Sequence, residues 1–113
     1  MIELKREFEQ KGREMKFSQR YKDSEVVIYE ITHPDYCNEG QYVSWWEVFR
    51  YKTGKMHPMA ENYDPNEIKE IYPSDNNFGE WAWSCSTLGS IRKVLKRDFN
   101  FDEERISKIL ENL

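Results

Sequence analysis

Four side chains have the chemistry for a metal site or a nucleophile–base pair: His33, Cys37, His57 and Cys85. Two Cys and two His match the ligand set of a tetrahedral zinc site. Their spacing does not, because no Cys-x₂-Cys or His-x₃-His pair brings two ligands together. Cys85 also falls among residues that belong in a core. No metal and no other cofactor is expected. Thiol catalysis needs an exposed, activated cysteine with a base beside it. Cys85 lies just before a helix start, where the dipole lowers a thiol pKa. His33 or His57 could act as the base if the long central loop folds back, but nothing in the spacing enforces that. The plainer reading makes Cys85 a small buried residue between Trp83 and a helix.

Carboxylates are plentiful but scattered, with one exception. Glu47 interrupts the alternating Val43, Trp45, Phe49 and Tyr51 with a charge. A carboxylate withdrawn from water is costly unless paired. Either Glu47 meets an Arg or Lys, or its part of the face is open to solvent, and the pairing is the favoured expectation. Asp75-Asn76-Asn77-Phe78-Gly79 has the composition of a calcium loop but lacks its alternating ligands and distal Glu, so it reads as a turn. Glycine-rich phosphate-binding motifs are missing from the sequence. Arg92, Lys93, Lys96 and Arg97 form two basic pairs four residues apart and could contact phosphates. Such runs are more often the solvated side of an amphipathic helix. Residues 23–91 carry twelve Asp/Glu against four Lys/Arg, which argues against a sheet lying on nucleic acid.

The aromatic content is high: four Trp, seven Tyr and six Phe in 113 residues. Rings of about 150–250 Å² each exceed what the inner face of a small sheet can hold, so some end half exposed, where they could serve recognition, although the favoured reading is that Tyr tips reach water while the rings cover the core. Tyr42, Ser44, Trp46, Val48 and Arg50 alternate onto one side of a strand. If C-terminal helices cover Trp45, Trp81 and Trp83 on the other side, then Tyr42, Trp46 and Arg50 form an open platform above the small side chains Ala82 and Ser84. Trp, Tyr and Arg are the residue types enriched in interaction hot spots.

The elements that position these groups can be read in order. Residues 1–14 allow a short or frayed helix, with Leu4 and Phe8 four apart and Gly12 weakening any continuation. Met15, Phe17 and Tyr21 alternate only in part and give a weak strand over 15–21. Val26 to Ile31 is a strand with apolar residues on both sides, which predicts a central position. Gln41 to Lys52 is a second strand, and the two pair most simply as an antiparallel hairpin. Thr53-Gly54-Lys55 reads as a turn, and 53–77 as a long polar connection. Within it, Asp64-Pro65-Asn66-Glu67 opens a helix by its capping chemistry, while Ile68 to Tyr72 suits a strand equally well. The Phe78 to Cys85 stretch, a strand, runs into a helix over Thr87–Asp98. A last helix starts at Asn100 or Asp102, with Ile106, Ile109, Leu110 and Leu113 as its apolar stripe and Phe99 and Phe101 in the corner.

The length suits one domain, 1–113. Strands first and helices last define an α+β fold: an antiparallel sheet of three to five strands with two C-terminal helices on one face. No disulfide framework, apolar membrane span or signal-peptide pattern is visible, so a reduced, cytoplasmic setting is expected. The function this favours is non-enzymatic binding of a protein partner, or self-association as a homodimer, through Tyr42, Trp46 and Arg50. Nucleic-acid binding through Arg92, Lys93, Lys96 and Arg97 is the alternative, and a cysteine-dependent enzyme stands third.

Overall fold

The computed structural model describes residues 1–10 and 12–113. Among these residues, seven strands and two α-helices follow in chain order: β1 (Glu7–Gln10), β2 (Met15–Lys22), β3 (Val26–Pro34), β4 (Tyr42–Arg50), β5 (Thr53–Lys55), β6 (Ile68–Glu70), β7 (Ala82–Cys85), α1 (Leu88–Arg97) and α2 (Glu103–Glu111). The main sheet has five antiparallel strands in the order β1-β2-β3-β4-β7, and β5 with β6 forms a separate two-stranded sheet. The α+β class and the antiparallel β3–β4 hairpin are as expected from the sequence. β3 is central, as its two apolar sides require.

The helices cover one face. Thr87 caps α1 by accepting a hydrogen bond from the Ser90 N–H, and Asp102 caps α2 through the Arg105 N–H. Ile91, Val94 and Leu95 of α1 and Ile106 and Ile109 of α2 pack onto Val26, Ile28, Val48 and Cys85. Asn100 turns the chain between the helices in a left-handed conformation (φ 57°), which Asn tolerates. Phe99 and Phe101 fill that corner with ring centroids 5.3 Å apart.

Three of the four tryptophans lie on the side opposite to that expected from the sequence. Trp83 lies under the helices as expected, but Trp45 and Trp81 pack on the reverse face with Phe49 and Ala82. Trp46 packs against the helix-side core, on the same face as Val48. Two-residue alternation holds inside a ladder, and β7 begins only at Ala82, after a turn through Gly79 (φ 94°). Because β3 is apolar on both sides, the pattern could not say which side the helices would take.

The reverse face is covered by segments read as loop or helix. Residues 7–10 are an edge strand, not a helix: a spacing of four is even, so Leu4 and Phe8 share a face in extended chain too. Phe8 stacks on Phe17 at 4.5 Å. The partial alternation of β2 comes from a bulge between Gln19 and Tyr21 that moves Tyr21 to the helix side. Asp64 caps a turn, and the strand reading of Ile68–Glu70 is the correct one. Gly54 sits in β5 because a Cβ there would come within 2.8 Å of Ile71 Cδ1. From β6 the chain carries Tyr72 over the reverse face, where its ring meets Phe8, Phe17, Tyr29 and Phe49.

Glu70 fastens these covering segments together. It is 5% exposed and accepts hydrogen bonds from Lys22 Nζ at 2.6 Å and the Leu4 N–H at 2.8 Å. Burial alone would raise its pKa, but those hydrogen bonds hold it below the ordinary 4.5. A carboxyl depressed on folding stabilises fully above its unfolded value, and that contribution fades as pH falls through the folded one. Glu70→Gln should therefore lower stability at neutral pH by about 1–3 kcal/mol and flatten the decline in stability between about pH 5 and 3. Urea unfolding across that pH range checks this, and an unchanged midpoint would show that the tie carries no weight.

Candidate functional site

The β3–β4 hairpin runs beyond both covers. The register pairs Pro34 with Tyr42 and Thr32 with Ser44, past the last β7 partner, Cys85 opposite Trp46. Tyr36 is 74% exposed and Tyr42 70%. Val43 on β4 is exposed as well, and Trp45 and Trp46 are half-buried on opposite faces. His33 links the loop to the strand, its ring 6.2 Å from Tyr36 and 5.5 Å from Trp45.

The backbone of this end is also open. Along β4, residues 43, 45, 47 and 49 face β3, a phase set by the Asp35 N–H bonding to the Gln41 carbonyl. Even-numbered residues face β7, as the Arg50 N–H bonding to the Trp81 carbonyl shows. β7 stops at Cys85, so among the described residues the outward N–H and C=O of Tyr42 and Ser44 have no strand partner.

The three residues named from sequence thus divide. Tyr42 and Trp46 share the helix-side face, Tyr42 in solvent and Trp46 at the margin of the helices. Arg50 lies further along that strand under the helices. Its guanidinium donates to the Asp98 carbonyl and sits 4.6 Å from the Phe99 ring and 5.9 Å from Trp83. It braces the end of α1 against the sheet and has no reach to the open hairpin.

On the reverse face, Glu47 opens into a cleft of about 640 Å³. Tyr72 donates to Glu47 Oε1 at 2.5 Å and Trp45 Nε1 to Oε2 at 3.4 Å. Burial first, and the Glu47 charge second, push the Tyr72 phenol well above its usual range, so it stays a donor. The expected Arg or Lys partner is not found among the described residues. Phe8, Phe17 and Phe78 complete the apolar wall, with Arg13 and Asp75 around the rim. Sequence reasoning singled out Glu47 and missed its surroundings, because Phe8 and Tyr72 come from segments read as helix or loop.

The remaining chemical candidates stay apart. Among the described residues, no group of three His, Cys, Asp or Glu side chains is placed to hold a metal ion. Cys37 is exposed in the β3–β4 loop, and His57 accepts a hydrogen bond from the Met59 N–H in another loop. Cys85 is 2% exposed, and burial pushes its thiol up to about 11. That is the reverse of an activated nucleophile. On α1, Arg92 and Lys96 both pair with Glu103, and Arg97 pairs with Asp98. No helix among the described residues is long and apolar enough to cross a membrane. No protein-family model, curated protein or solved structure matches this chain.

A coloured disulfide reagent should therefore find one fast thiol in the native protein, Cys37, with Cys85 reacting only as fast as the chain unfolds. Two fast equivalents would contradict the burial of Cys85.

Proposed function

We propose that this chain is a non-enzymatic binding module that receives an extended segment at the open edge of β4. The segment belongs to a protein partner or to a second copy of the chain, which would then form a homodimer. The observation that carries this reading is the pair of outward backbone positions, Tyr42 and Ser44, next to exposed aromatic rings. An unpaired edge supplies main-chain hydrogen bonds, and side chains on alternate faces supply selectivity. Tyr42 and Trp46 would contact the added strand on one face, with Val43 and Trp45 on the other. Arg50 serves this surface indirectly, by holding α1 against the sheet.

Two unpaired cysteines, one of them exposed, support a reducing cytoplasmic setting. The nucleic-acid reading has less support, since three of the four basic side chains on α1 are engaged with carboxylates.

Ser44→Pro separates this surface from the fold. It removes an outward N–H while the bonds from β4 to β3, made by the odd-numbered residues, remain. Sedimentation of the pure chain and quantitative recovery of partners from the native host should both be compared with wild type. The expected result is loss of self-association, or of a specific partner, in Ser44→Pro and in Tyr42→Ala with thermal stability largely retained. Unchanged sedimentation and an unchanged partner set in both variants would remove the β4 edge from consideration.

A further inference from the structure

We propose that the Glu47 cleft on the reverse face receives the ammonium or guanidinium group of a lysine or arginine side chain, presented by a basic segment of a protein partner. Cation binding here does not rest on strand addition at the β4 edge, although Trp45 borders both sites. The contrast between two inward carboxylates motivates it. Glu70 and Glu47 both lie against the reverse-face core. Glu70 has its own cation, Lys22, at 2.6 Å. Glu47 has two neutral donors, Tyr72 and Trp45, and no cation within ion-pair distance among the described residues. Neutral donors orient a carboxylate without cancelling its charge, so the site retains an uncompensated negative group beside an opening to solvent.

The surroundings suit a cation on an apolar stem. Phe8, Phe17, Tyr72 and Phe78 line the cleft, and aromatic faces attract ammonium and guanidinium groups while accepting methylene chains. The volume, about 640 Å³, exceeds what one side chain fills. Asp75 and Arg13 at the rim offset each other, and Glu9 alternates with Phe8 onto the other face of β1, so the charge that selects a cation is that of Glu47 itself. A carboxylate or phosphate ligand would meet repulsion at Glu47. A run of basic residues could place one side chain on Glu47 and its neighbours on the rim.

The test uses the intact chain and three probes: the peptide acetyl-Lys-Gly-Lys-amide, its norleucine analogue, and n-butylammonium. Binding is read from the indole N–H resonance of Trp45. The lysine peptide should shift that resonance saturably and bind at least tenfold more tightly than either other probe. Glu47→Gln keeps an acceptor for Tyr72 and should abolish the preference for lysine over norleucine. Three results would overturn the proposal: no saturable shift with the lysine peptide, equal binding of the norleucine analogue, or undiminished lysine preference in Glu47→Gln. An n-butylammonium affinity equal to the peptide's would reject a protein segment as the source of the cation. The probe comparison on the wild-type chain decides the matter even if the variant folds poorly.

Discussion

Strand β3 presents apolar side chains to both sides of the sheet, and neither set tolerates water. Val26 and Ile28 face one way; Val27, Tyr29 and Ile31 face the other. All five are fully buried. Hydrophobic burial at roughly 25 cal/mol per Å² makes each side worth covering, but one pair of short helices can cover only one of them. The chain meets this by using different material on each side. The helices α1 and α2 take Val26 and Ile28, while the N-terminal segment and the strap after β6 take Tyr29 and its neighbours.

Two covers made from distant parts of the sequence must be fastened to the sheet, and polar groups do this at the margins. Arg50 holds the α1 terminus through the Asp98 carbonyl. Arg105 reaches from α2 to Asp23 and Glu25 at the β2–β3 turn, its guanidinium 3.6 Å from the Phe101 ring centroid. Glu70 joins the N-terminal segment, β2 and β6. The Tyr29 hydroxyl donates to the Lys5 carbonyl at 2.6 Å and so fixes the chain just before β1. None of these ties lies beyond Trp46 on β4, so the hairpin end projects with one strand edge and several rings uncovered.

Patterns internal to one element were legible in the sequence. The β-branched run of β3, the alternation within β4, and the caps and apolar stripes of both helices each depend on residues close together in the chain. The partition of side chains within β4 was also correct. What could not be read was the assignment of covers to faces, because it depends on which distant segment reaches which side. Trp81 was misplaced because it lies just outside the ladder, although its spacing from Trp83 matches the alternation inside it. β1 was missed because a four-residue spacing fits helix and strand alike, and β5 because glycine is needed both in turns and beneath a crowding side chain. For the candidate site, the sequence flagged Tyr42, Trp46 and Glu47 individually. It gave no sign that β7 is too short to pair the outer half of β4, or that Tyr72 would be Glu47's partner.

Hydrogen exchange of individual amides tests the central claim most directly, since it reads both the double covering of β3 and the open end of β4 in the same experiment. The account predicts that the amides of Val27, Tyr29 and Ile31 exchange only through the largest openings of the molecule. It predicts that Tyr42 and Ser44 exchange fast, while their neighbours Val43 and Trp45, bonded to β3, are protected. Tyr42 and Ser44 amides as slow as that of Val48 in the monomeric chain, or fast exchange along β3, would contradict it.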